Sequence, residues 1–213
     1  MQTAMAMVLA FTGGFVVMVL EMVGMRLLAR DFGSSFYVWT SQIGIVLVAL
    51  TLGYLLGGLV ADRTHRPRWL GVGLVLAAAF TGGIPKFSAS VTHYLVSRHA
   101  ADQEIPLLWQ KLDPALGAML VFLPPCLILA MLPPCLIRWA ASRVEHVGRI
   151  SGFIYGAGSL GSIAGVFVSG YILIDVLPLP AIFRGTALVM VGMAAVCLGW
   201  NPEPQRRLSA TNA

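Results

Sequence analysis

The chain has 213 residues, 58% of them hydrophobic and only 11% charged, with a formal charge of +5. Soluble domains carry ~25% charged residues, and the mean hydropathy here is +0.83. That excludes a disordered chain, a coiled coil and an ordinary cytosolic enzyme. The basic excess sits in short clusters between apolar runs, the arrangement that orients membrane helices rather than one that binds nucleic acid.

Six charge-poor runs approach the ~20 residues that cross a bilayer as a helix. The expected fold is an all-α membrane domain of six transmembrane helices over residues 1–200, with a short tail at 201–213. Span one runs from about Ala4 to Arg30. It lacks the basic n-region and the Ala-x-Ala site of a signal peptide, so it is read as a retained helix. Inside it lies Glu21, flanked by Leu20 and Met22. An ionisable group at that depth costs on the order of a few kcal/mol and marks a pathway or a partner. Arg26, five residues on, is about 140° round the helix and is no simple partner.

Span two is Val38–Val60 and span three Trp69–Ile84. Span two carries Ala49, Gly53 and Gly57 at i,i+4 spacing. Between the two spans stands Gly58-Leu-Val-Ala-Asp62-Arg63-Thr-His-Arg66-Pro-Arg68. A long loop, about 85–114, follows span three. Its Tyr94, Leu95, Ile105 and Trp109 suit either a helix lying at the outer interface or a solvated cap. Its His93 and His99 have poor spacing for a metal.

Span four, Leu116–Ile137, repeats Leu-Pro-Pro-Cys-Leu-Ile, so Pro124, Pro125 and Pro133 kink or break the helix and can open a pathway. Span five, Ile150–Val176, carries Gly161, Gly165 and Ser169 on one face. Span six is Ile182–Trp200. Small faces let helix backbones approach closely in lipid. The two stripes are read as helix-packing faces within the chain or as a two-fold dimer contact, span two against span five of a second copy. The three cysteines all lie in apolar runs, which argues against a disulfide framework. No catalytic constellation, metal-ligand set or cofactor motif is found; the Gly-x-Gly-x-x-Gly at Gly156–Gly161 falls inside a membrane helix.

Loop charge sets the orientation. Arg63, Arg66, Arg68, Arg138, Arg143, Arg149, Arg206 and Arg207 fall on one side. On the other stand Arg26, Arg30 and Arg184, and the long loop balances Lys86, Arg98 and Lys111 with Asp102, Glu104 and Asp113, so the short loops decide. Both termini are therefore expected in the cytoplasm, in a bacterial inner membrane.

The segment Gly58–Arg68 resembles the cytoplasmic loop motif of the major facilitator superfamily, with His65 and Pro67 departing from it. The resemblance implies a gating role for Gly58, Asp62, Arg63 and Arg66. Three further segments resemble the membrane part of fused facilitator-type spermidine synthase-like proteins. They are Leu20-Glu21 through Arg26 to Phe32-Gly33-Ser34-Ser35, then Pro124-Pro125 with Pro133, and Gly152 through Tyr155 and Gly161 to Gly165. Gly158 and Cys126 depart from that pattern, and no segment of these 213 residues reads as the soluble synthase domain. The resemblance implies half of a facilitator fold: a homodimeric transporter subunit, with Glu21, Arg26 and the prolines along the pathway of a small, cationic or amine solute. The alternative is a non-transporting subunit that docks a separate synthase-like enzyme or stabilises a larger membrane complex.

Overall fold

The computed structural model describes residues 2–64, 66–99, 105–140 and 147–200. Within these the chain forms α1 (Gln2–Phe32), α2 (Phe36–Arg63), α3 (Arg68–Ser97), α4 (Leu107–Ala130), α5 (Leu132–Ala140), α6 (Val147–Val168), a π-helical turn (Ser169–Leu173), α7 (Ile174–Val176) and α8 (Leu179–Gly199). Among the described residues, six helical spans are long and apolar enough to cross a bilayer; α4 with α5 makes span four, and α6 to α7 makes span five. His65, Asp102, Glu104, Arg143, Arg206, Arg207 and the tail lie outside the described residues.

The closest helix partners are α1 with α6, α2 with α4 and α5, and α3 with α8, while α1 and α4 meet in the middle. In span numbers these pairs are one–five, two–four and three–six. Exchanging spans one to three for spans four to six returns the same set of pairs. Each triplet holds an odd number of spans, so the two triplets run through the bundle in opposite senses.

Packing follows side-chain size. Leu20, Val23 and Leu28 of α1 are fully buried together with Phe122 of α4, Ile154 of α6 and Phe183 of α8. Spans two and five are the most peripheral, with 22% and 17% of their apolar windows buried, against 44% for span one. A helix that is apolar all round and mostly uncovered is stable only against lipid or a partner.

The expected long loop at 85–114 is corrected. Helix α3 runs through Pro85 to Ser97, and α4 begins at Leu107. Proline in a membrane helix is tolerated where neighbours re-satisfy the freed backbone. Here the buried face simply continues past it through Ile84, Ser88, Thr92 and Leu95. The small polar members of that face disguise its periodicity. Pro114 also lies within α4, in its early turns.

The proline repeat of span four acts unevenly. Helix α4 continues through Pro124 and Pro125 and turns at Met131. Pro133 falls in the first turn of α5, where a missing N–H costs nothing because no carbonyl awaits it. The break thus lies between the two copies of the repeat.

The junction of α3 and α4 is tied by charge. Asp113 is buried and accepts hydrogen bonds from the Arg98 guanidinium and, at 2.7 Å, pairs with His99 Nε2. The Arg98 guanidinium lies 4.2 Å from the Trp109 ring centroid. Nearby, the Thr92 hydroxyl donates to Asp31 at 2.6 Å, joining α3 to the end of α1.

Candidate functional site in the middle of the bundle

Helix α1 carries Glu21 and, one turn on, Gly24. A Cβ added at Gly24 would stand 2.5 Å from Gln42 Nε2 of α2 and 2.9 Å from Phe122 Cζ of α4. The bare glycine backbone is what lets the Gln42 amide lie across α1. One turn along α4 from Phe122 is Cys126, which is fully buried and within electrostatic reach of Glu21. Gly24, Gln42 and Phe122 therefore meet at the α1–α2–α4 junction, and Glu21 stands about 4.5 Å of helix rise from Gly24.

Both polar groups there lack partners. Gln42 is 0% exposed, and neither its amide oxygen nor its nitrogen has a hydrogen bond. A buried amide left so costs about 1–3 kcal/mol for each unsatisfied group. Glu21 is half-buried, and no hydrogen bond or ion pair holds its carboxylate among the described residues. Such groups persist in native structures as sites for water, a proton or a ligand. A carboxylate can take a cation or a proton; an amide can donate and accept at once.

Gln42 is the residue that the sequence reading passes over. The available signal is an amide that follows Thr40 and Ser41 and precedes a long apolar run. Near the end of a span such a residue reads as an interfacial polar group, and only the packing of α1 against α2 shows that it is enclosed.

Arg26 does not join Glu21. Its guanidinium donates to the Ile174 carbonyl at 3.2 Å, at the end of span five. That carbonyl follows the π-helical turn, where the Ile174 N–H reaches back to the Ser169 carbonyl. Arg26 thus fastens α1 to α7 rather than lining a path with Glu21. Pro124 is exposed, Pro125 is buried next to Cys126, and Pro133 lies beyond the turn at Met131, so the three prolines do not converge on the carboxylate.

In the α2–α3 segment, Asp62 reaches Arg138 of α5 at 3.6 Å. The pair is largely open to the surroundings, which makes it a weak tie by itself. Gly58 faces open space, and Arg66 turns towards the end of α8, where it lines a cavity with Trp200.

Both small-residue stripes are used up as helix-packing faces within one chain, so neither is free to meet a second copy. A Cβ on Gly53 would overlap Ala130 and the Leu127 carbonyl, and one on Gly57 would lie 2.8 Å from Met131 Cα. Ala49 is buried on the same face. On α6, Gly161 sits against the Phe11 carbonyl, and a Cβ on Gly165 would lie 2.6 Å from the Phe15 carbonyl oxygen. Ser169 is buried there too, its hydroxyl donating to the Gly165 carbonyl at 2.6 Å. Close backbone approach is what these faces serve, and α4 and α1 supply the partners.

The chain is thus an all-α membrane protein with an unpartnered carboxylate and amide among its central helices. Comparison with protein-family models, with curated proteins and with solved structures finds no match.

Proposed function

We propose that this protein is a half-size, facilitator-like transporter subunit that pairs with a second copy and moves a small cationic or amine solute. Glu21 takes the cation or an exchanged proton, and Gln42 orients it by hydrogen bonding. The observation that carries this reading is the two unpartnered polar groups, Glu21 and the enclosed Gln42, where α1, α2 and α4 meet. Polar groups at such depth mark ion and proton paths.

The helix pairing supports it. Opposed three-span units nested in a six-span half are how facilitator transporters are built, and the one–five, two–four and three–six pairs fit that plan. The sequence resemblance points the same way. The dimer contact now falls to the outward faces of the two peripheral spans, through Leu47, Leu52 and Leu55 of α2 and Leu160, Ile163 and Phe167 of α6, all exposed. With the basic clusters inside, both termini lie in the cytoplasm.

Uptake of a labelled amine into proteoliposomes tests the reading. Wild type transports, while Glu21→Gln and Gln42→Leu each lower the rate roughly tenfold or more, about 1.4 kcal/mol of barrier. Wild-type liposomes that move no amine, together with cellular uptake indifferent to Glu21, overturn it. A stoichiometric partner on co-purification would replace it with a docking subunit for a separate enzyme.

A further inference from the structure

Hydroxyls inside membrane helices usually turn back to their own backbone, because lipid offers them nothing else. Thr12, Thr51, Ser169 and Thr186 do so here, each donating to the carbonyl four residues earlier at 2.6–2.9 Å. The hydroxyls of Tyr54 on α2 and of Tyr155, Ser159 and Ser162 on α6 do not, and have no hydrogen-bond partner among the described residues. They lie well inside their spans. Tyr155 stands about 12 Å of helix rise from the start of α6 and Tyr54 about 13.5 Å from the end of α2, with Ser159 and Ser162 deeper still. An unpaired hydroxyl at such depth is costly against lipid.

Helix periodicity gathers these groups on one side of each helix. Both helices bury only a narrow stripe, through Gly53 and Gly57 on α2 and through Gly161 and Gly165 on α6. On α2 one open side, the line Val48, Leu52, Leu55 and Leu59, is aliphatic throughout, whereas the other carries Thr51 and Tyr54. On α6 Phe153, Leu160 and Phe167 take one side, and Tyr155, Ser159 and Ser162 the other. Tyr171 follows the apolar side, but only five residues before the end of span five, where a phenol reaches the membrane interface.

The two hydroxyl-bearing sides look onto one groove. Tyr54 and Tyr155 are 42% and 52% exposed, and their phenol groups lie within electrostatic reach of each other. Since α2 packs on α4 and α6 on α1, the two side chains approach across the α1–α4 pair. A Cβ on Gly14 of α1 would stand 2.9 Å from Ser162 Oγ. Glu21, seven residues on, is about 20° from Gly14 round the helix and about 10.5 Å along it. Glu21 therefore leaves α1 on the side that Ser162 borders.

We propose that Tyr54, Tyr155, Ser159 and Ser162 line a hydrated groove that leads from the Asp62–Arg138 end of the bundle to Glu21 and admits a small organic ammonium ion. Water supplies the hydrogen bonds that the four hydroxyls lack. Two tyrosine rings near each other attract an ammonium group, and Glu21 receives it. The choice of solute rests on the transport reading given above; the hydration of the groove does not. The aliphatic sides of α2 and α6 stay dry, against lipid or a second copy.

Cysteine accessibility in native membranes tests this. Cysteines are introduced one at a time at Ser159, Ser162, Leu160 and Phe167, in vesicles opened to both sides. The probe is a methanethiosulfonate bearing a trimethylammonium group, which attacks the thiolate, a species that forms in water and not in lipid. The native thiols are buried, so wild type provides the blank. Ser159→Cys and Ser162→Cys should react roughly thirtyfold faster than Leu160→Cys and Phe167→Cys. Equal rates at all four positions, slow or fast, overturn the groove. Excess tetramethylammonium should slow the Ser159→Cys reaction about threefold, and the double change Tyr54→Leu, Tyr155→Leu should remove that protection. Protection that is absent, or that survives the double change, overturns the ammonium assignment. Vesicles that transport no amine while the contrast in labelling holds overturn the transport reading alone.

Discussion

Buried polar groups receive opposite treatment in two regions of this bundle. At the α3–α4 junction, Asp113 is enclosed with Arg98, His99 and the Trp109 ring, and its carboxylate is fully engaged. At the α1–α2–α4 junction, Gln42 is enclosed with nothing, and Glu21 has no ion partner among the described residues. The first arrangement holds two long helices in register where the chain turns. The second lowers stability and leaves hydrogen-bonding capacity free for something that comes and goes. The contrast separates a structural clamp from the site proposed to work in transport.

Substitutions at the two junctions should differ in sign as well as size. The largest loss is expected from Asp113→Ala, which removes the buried carboxylate that Arg98 and His99 share. About 3 kcal/mol of unfolding free energy should disappear in a denaturant titration in detergent. An unchanged midpoint would mean that the junction holds without its charges. Gly161→Ala should follow with about 2 kcal/mol, because a methyl group there meets the Phe11 carbonyl of the neighbouring helix. Gly44, which faces open space, provides the matched control, and its alanine variant should melt like wild type.

At the central junction the expected change is reversed. Gln42→Leu replaces an unsatisfied amide with an apolar side chain of similar volume and should stabilise the fold by about 1 kcal/mol. Destabilisation of that size instead would show that the amide is satisfied in the membrane, by water or by a bound solute. Smallest of all is Glu21→Gln, expected to move the unfolding midpoint by no more than about 0.5 kcal/mol, while transport falls. A large stability loss at Glu21 would make it a second clamp, and the contrast between the two junctions would collapse.

Legibility differed between elements for identifiable reasons. The six spans can be read because apolar length alone decides insertion in a bilayer. Glu21 stands out for the same reason, as a charge in a region without charges. The end of α3 was hidden because Pro85, Ser88 and Thr92 look like loop residues one at a time; only their spacing on a face that meets α1 makes them helix. Gln42 was hidden because an uncharged amide near a span end carries no mark of enclosure. Arg26 is no simple partner of Glu21 along the sequence, and only the resemblance sets it on the same pathway; in the structure its guanidinium donates to the Ile174 carbonyl.

By itself the sequence determined that this is an all-α membrane protein, how many helices are long and apolar enough to cross, and that a carboxylate lies within one of those apolar runs, since all three depend on the free energy of transferring residues from water to lipid. Tertiary structure alone decided what the glycine stripes touch. Gly53 could face lipid, a second copy or α4 with the same local sequence, because small residues permit close approach without naming the partner. It also decided that Asp113 is answered and Gln42 is not, because a hydrogen bond between distant segments depends on which helices end up side by side.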